Sequence, residues 1–149
     1  DLKKLNDFLG AKNYFLIGTL HPKFSTKKWI PTENFKNIYF SESGYDIYPL
    51  LHNFDLLITD YSSICFDFLI MDKPAIFFVY DFDEFQKTMG VHQELWNLMP
   101  GFRVKTFEEL LIALGRQNNG KFRKQRQAAR KKLFTFLDGN SSQRKTSSP

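Results

Sequence analysis

Two continuous apolar runs, FDLLIT (54–59) and KPAIFFVY (73–80), constrain this chain more than any other feature. Neither alternates polar with apolar residues, which is the pattern of strands covered on both faces. Between them, SSICFDFLIMD (62–72) has helical length. Strand, helix and strand in that order make a βαβ unit with parallel strands, and hence an α/β fold with a Rossmann-like parallel sheet flanked by helices. With 149 residues and 42% hydrophobic content, the chain has material for one sizeable core but is short for two full domains.

The remaining segments fit the same alternation. DLKKLNDFLG (1–10) predicts a helix with Leu2, Leu5 and Leu9 on one face and Gly10 as its stop. NYFLIGTLHP (13–22) predicts a strand, followed by a loop through Pro31 and a short strand in NIYFS (37–41). Asp46 is placed to cap a brief helix DIYPLLHN, with Pro49 tolerated in its first turn. DFDEFQKTMG (81–90) reads as a helical turn or two, and the segment onward to Gly101 as irregular. Thr106 and Glu109 in TFEE form a capping box ahead of the apolar LLIAL, so a helix starts there. A last helix is expected over 122–137. One domain over 1–138 and a polar tail over 139–149 follow from this reading.

Several chemistries find no support in the composition. Cys65 is the only cysteine, so no disulfide framework is possible within the chain, as suits a reducing cytosol. No apolar run approaches the roughly 20 residues that span a bilayer, and the start of the chain lacks the pattern of a secretory signal. The chain begins at Asp1 already in an amphipathic pattern, and is expected to be a piece of a longer protein. Its three histidines and one cysteine have no metal-ligand spacing, and neither a Gly-rich nucleotide fingerprint nor a nucleophile elbow is present. No metal and no cofactor are called for. The net charge of +5 concentrates in KFRKQRQAARKK (121–132), which has no acidic residue. Ala129 and Leu133 recur at helical spacing, so Lys124, Arg126, Lys131 and Lys132 are expected on the opposite face, either simply solvated or resting on an anionic surface.

In open parallel sheets, ligands bind beyond the carboxyl ends of the strands. That rule selects TDYSS (59–63) and the LHP that ends the first strand. At TDYSS, Ser62 and Ser63 supply hydroxyl and N–H donors to an anion. Ser63 and Asp67 lie four residues apart, on the only polar stripe of an apolar helix, where a carboxylate needs partners in the protein or on a ligand. The competing reading has Asp60 or Ser62 merely capping the helix and Asp67 paired with a nearby lysine. Pro22 holds His21 extended at a strand end, where its imidazole can donate to phosphate or carry a proton; an ordinary strand-end histidine is the alternative.

LHP, the stretch YDIYPLLHNFDLLITDYSSICFDFLIMDKPAIFFVYD (45–81), then PGFRVKTFEELLIAL (100–114) and F-x-F-L-DGNSSQR resemble, in order and spacing, the carboxyl-terminal half of the CDP-glycerol glycerophosphotransferase family, the teichoic acid and capsule polymer polymerases and primases. The resemblance implies a GT-B architecture in which this half binds the donor nucleotide and an amino-terminal half supplies acceptor-side residues and a further histidine as base. It also implies roles by position. His21 lies near the donor pyrophosphate, Ser62 and Ser63 hold donor phosphate, Asp67 binds polar groups of the donor, and Thr59 and Asp60 form the turn. The expected partners are CDP-glycerol or CDP-ribitol, a lipid-linked polyol-phosphate or glycan acceptor and the anionic inner face of a bacterial cell membrane, with no nucleic acid. Over the stretch where that family carries an Arg-Gly pair and an acidic, aromatic segment, this chain reads KTMGVHQELWNLMPG (87–101). A GT-B transferase using a nucleotide sugar and a non-catalytic nucleotide-binding module are the alternatives.

Overall fold

A computed structural model describes residues 1–19, 33–41, 46–116 and 120–140. The chain divides into two compact units, Asp1–Asn53 and Phe54–Pro149.

In the first unit, helix α1 (Leu2–Ala11) buries Leu5 and Leu9, and the Asp1 carboxylate accepts the Lys4 N–H at its start. The helix runs through Gly10 rather than stopping there. The left-handed residue that ends it is Asn13, at φ 55°, a conformation that asparagine tolerates better than most side chains. Strands β1 (Leu16–Gly18) and β2 (Ile38–Phe40) pair in parallel, Leu16 opposite Ile38 and Gly18 opposite Phe40. Asn37 fastens this pair, donating its backbone N–H to Asn6 Oδ1 and its side-chain amide to the Tyr14 carbonyl. A 3-10 helix, Tyr48–Asn53, follows, with Asp46 accepting the Tyr48 N–H. His21 lies outside the described residues.

The second unit is built on a three-stranded parallel sheet in the order β3 (Leu57–Thr59), β4 (Ala75–Phe78), β5 (Phe102–Val104). Leu57 to Thr59 pair with Ala75 to Phe77, and Ile76 to Phe78 with Phe102 to Val104. β4 is central, and Ile76 and Phe77 are fully buried in it, as a run without polar alternation requires. Helix α2 (Ile64–Ile70) crosses from β3 to β4 and buries Cys65, Phe68 and Leu69, spaced i, i+3 and i+4. Each such large side chain contributes about 1.5–3 kcal/mol on burial.

The end of α2 is closed by a left-handed Asp72 at φ 55°, which lets the Lys73 N–H reach back to the Phe68 carbonyl. Lys73 then bonds the Phe54 carbonyl through its ammonium at 2.5 Å, tying the start of β4 to the start of β3.

Between β4 and β5 lie α3 (Phe82–Thr88) and α4 (Gln93–Leu98). The irregular segment expected up to Gly101 is therefore partly helical, and β5 was not anticipated. Arg103 of β5 reaches back to α4, its guanidinium bonding the carbonyls of Trp96 and Met99 at 2.5 and 3.0 Å while lying over the Trp96 ring. A cation from the following strand thus satisfies carbonyls at the end of a six-residue helix. Gly101 admits no side chain: a Cβ there would run into the Ala75 carbonyl and the Phe77 ring.

After β5 come α5 (Phe107–Arg116) and α6 (Arg123–Leu133). The Thr106–Glu109 capping box forms as expected, Glu109 N–H to Thr106 Oγ1 at 3.2 Å and Thr106 N–H to the Glu109 carboxylate at 3.1 Å. α6 stops at Leu133, short of the expected 137, because Phe134 is extended (φ −123°, ψ 115°). That extension lets Leu133 and Phe134 both pack on the core, while Phe136 and Leu137 are exposed. Arg126 also departs from expectation. Instead of facing solvent with Lys124, its Nε bonds the Asp72 carboxylate at 2.9 Å and the Asp72 carbonyl at 3.1 Å.

Candidate functional site

β3 ends at Thr59, and the chain must leave the sheet and enter α2 within four residues. The Asp60 carboxylate arranges this turn by accepting the Ser62 N–H at 3.1 Å, an Asx-turn in which a side chain substitutes for a backbone carbonyl. The Ser62 and Ser63 carbonyls then accept the Cys65 and Phe66 N–H groups and start the helix. Ser63 is the N-cap residue, yet its side chain makes no capping bond. Both serines are exposed, and among the described residues neither hydroxyl has a hydrogen-bond partner. Of the two capping residues weighed from sequence, Asp60 therefore serves the turn and Ser62 does not cap.

Asp67 lies in the first turn of α2, half-buried, on the same side as Ser63. Its carboxylate makes no hydrogen bond or ion pair among the described residues, and no lysine pairs with it there. Thr59, half-buried, is paired with Phe77 in the sheet. Thr59, Asp60, Ser62, Ser63 and Asp67 are thus gathered at the carboxyl edge of the parallel sheet, the edge at which open α/β sheets take their ligands.

Tyr61 is the residue that sequence reasoning passed over. It donates its hydroxyl to Asp81 Oδ1 at 2.9 Å and stacks on Phe85, the ring centroids 3.8 Å apart and 13° from parallel. Phe82 and Trp96 flank it at 6.2 and 6.0 Å. Burial first, then the hydrogen bond to Asp81 and that residue's charge, hold the Tyr61 hydroxyl well above the ordinary phenol range. The available signal was an aromatic residue set among the small polar residues of a turn.

A separate cleft of about 320 Å³ opens at the other edge of the sheet, where Asp55, Ala75 and Phe102 stand before or at the strand starts. Lys121 and Arg126 line it too, but Lys121 lies over the Phe102 and Phe122 rings and Arg126 is bound to Asp72. Being at the amino ends of the strands, it is on the wrong edge for a crevice ligand. Among the described residues no three histidine, cysteine or acidic side chains come together as metal ligands. No helix among them is long and apolar enough to cross a membrane.

Comparison with known proteins gives the same architecture. The chain is 31% identical over 131 residues to the teichoic acid poly(ribitol-phosphate) polymerase of Bacillus spizizenii, covering 88% of this chain and 21% of that protein. It is 32% identical over 138 residues to the teichoic acid glycerol-phosphate primase of Bacillus subtilis, covering 89% of this chain and 33% of the relative. A solved structure of the wall teichoic acid polymerase TagF superposes with a TM-score of 0.79 at 26% identity, covering 96% of this chain and 35% of that one. The chain thus spans about a fifth to a third of the length of these proteins. The profile of the CDP-Glycerol:Poly(glycerophosphate) glycerophosphotransferases matches residues 1–146. With its parallel sheets, its flanking helices and a match that runs nearly from end to end, this chain belongs to the CDP-glycerol:poly(glycerophosphate) glycerophosphotransferase family.

Proposed function

We propose that this chain is the donor-binding half of a GT-B polyol-phosphate transferase that acts on a CDP-alcohol, glycerol or ribitol being the alcohol. The match to the glycerophosphotransferase family over residues 1–146 carries the reading. The relatives named for ribitol-phosphate and glycerol-phosphate transfer support it from the side of chemistry. In the reaction, an acceptor hydroxyl oxygen attacks the β-phosphorus of the CDP-alcohol. A new O–P bond forms, the bond to the bridging oxygen breaks, CMP leaves with the electron pair, and the hydroxyl proton passes to a base. The polymer grows by one phosphodiester.

The part assigned to this chain is electrostatic. The unengaged hydroxyls of Ser62 and Ser63 donate to the pyrophosphate as negative charge collects on the departing CMP, and they need no rearrangement to do so. Asp67, without an ion pair among the described residues, accepts from hydroxyls of the donor. His21 is assigned to the pyrophosphate by its place in the LHP motif alone. Thr59 and Asp60 shape the turn, as the Asx bond supports.

The exposed cations of α6, Lys124, Lys131 and Lys132, would hold the protein peripherally on an anionic inner membrane face where lipid-linked acceptors lie. Arg126 has no part in that surface because Asp72 occupies it.

The test is a donor screen on the full-length protein with CDP-glycerol, CDP-ribitol, UDP-glucose and a GDP-sugar, reading the nucleotide released. CMP release from a CDP-alcohol is expected. Release of UDP or GDP instead would replace this reading by sugar transfer.

A further inference from the structure

The serine pair is held by more than the Asx-turn. Tyr61 is the one large side chain in TDYSS, and its hydrogen bond and its ring contacts go to the segment that follows β4. Asp81, which receives its hydroxyl, stands at the N-cap of α3 but spends no side-chain bond on that helix. The carboxylate is given to the neighbouring turn instead. One hydrogen bond and one aromatic stack therefore join the turns at the carboxyl ends of two adjacent parallel strands, β3 and β4.

We propose that Tyr61 is a positioning residue for donor binding: its hydroxyl, donated to Asp81, and its ring, stacked on Phe85, fix the turn that presents Ser62 and Ser63. The inference rests on the serine pair being the donor-phosphate site. A phenylalanine would satisfy the stack equally well, so packing alone does not explain the hydroxyl. What the hydroxyl adds is direction, since a charge-assisted bond at 2.9 Å tolerates little rotation of the turn between Asp60 and Ser62. Small displacements of groups that bind a reacting phosphate are costly in rate and affinity.

The hydroxyl remains a donor throughout the physiological range, because its ionisation is pushed upward by burial and by Asp81. The arrangement also brings the Tyr61 ring to within 6.0 Å of Trp96, which lies in the stretch over which this chain departs from the expected family pattern.

The experiment uses the full-length protein and whichever of CDP-glycerol and CDP-ribitol it turns over. Donor KM, acceptor KM and melting temperature are measured for Tyr61→Phe, Asp81→Ala, Asp81→Asn, the Tyr61→Phe/Asp81→Ala double variant and Ser62→Ala/Ser63→Ala. Tyr61→Phe and Asp81→Ala are each expected to raise donor KM about tenfold, because the serine turn is then free to shift away from the donor phosphate. Acceptor KM should stay put. The double variant should be no worse than either single one, because both remove the same bond. Asp81→Asn keeps an acceptor oxygen and should restore donor KM to within about twofold of wild type. A Tyr61→Phe variant with unchanged donor KM, beside a weakened serine variant, would overturn the inference and leave the site standing. Donor and acceptor KM rising together with a fall in melting temperature would overturn it as well, by reducing Tyr61 to a structural residue. If the serine variant binds donor normally, the site itself is lost and this inference goes with it.

Discussion

The turn from β5 into α5 and the turn from β3 into α2 lie at the same edge of one parallel sheet, and both use hydroxyl residues beside an acidic one. Thr106 and Glu109 close on each other, the hydroxyl taking one N–H and the carboxylate two, from Lys105 at 2.7 Å and Thr106 at 3.1 Å. Both the Thr106 hydroxyl and the Glu109 carboxylate of that turn serve their own helix. At Asp60–Ser63 only the aspartate does so, while two hydroxyls and the Asp67 carboxylate stay unengaged among the described residues. The first arrangement maximises local stability. The second forgoes a cap of about 1 kcal/mol, which is the kind of sacrifice found where a ligand supplies the missing partner.

The sharpest way to break this contrast is to remove hydroxyls from each turn. Ser62→Ala with Ser63→Ala should weaken CDP binding by at least about tenfold, since hydrogen bonds to a charged group are worth about 1.5–3 kcal/mol each. Melting temperature should hardly move, because no cap is lost. Calorimetry with CDP and a thermal melt on the same variant check both halves of that statement. A stability loss with intact affinity would make the two turns alike.

Thr106→Ala is the converse and should have the smaller effect. Loss of its cap costs about 1 kcal/mol of stability and leaves CDP affinity unchanged. The same two measurements apply.

Smallest of all is the pH dependence of Glu109. The N–H groups of Lys105 and Thr106 hold its carboxyl below the usual carboxylate range. Its folded pKa is depressed, so its contribution is complete at neutral pH, above the unfolded value, and is lost as pH falls through the lowered folded value. Glu109→Gln should therefore melt below wild type at pH 7, and the gap should narrow on acidification. A gap that stays constant to pH 3 would show that charge plays no part in the box.

Local chemistry made half of this legible. The apolar runs gave β3 and β4, the helical length of the segment between them gave α2, and Thr106 with Glu109 gave the start of α5, because in each case the pattern lies within a few residues. Elements held by distant partners were not readable. β5 is three residues long and exists through its pairing with β4, and α4 through a guanidinium from the next strand. Arg126 looked like one more cation on a solvated helix, but its partner Asp72 is 54 positions away. Tyr61 and Asp81, 20 apart, were hidden for the same reason. The candidate site shows this division in miniature: the serines and the Asp60 turn were visible in TDYSS, and the tie from Tyr61 to Asp81 was not.

Cys65 makes α2 measurable without any added label. It is the only thiol in the chain, 7% exposed, and burial pushes it up to about 11, with the nearby Asp67 charge adding to the effect. At neutral pH thiolate is scarce and reagent has no path to it, so alkylation in the native state waits for α2 to lift from the sheet. When reclosing is fast, the alkylation rate relative to that of a free thiol gives the equilibrium for this opening. A ligand seated on Ser62, Ser63 and Asp67 would slow that capture in proportion to its occupancy. The buried thiol can thus report binding at the serine turn by its own protection, even where no turnover can be followed.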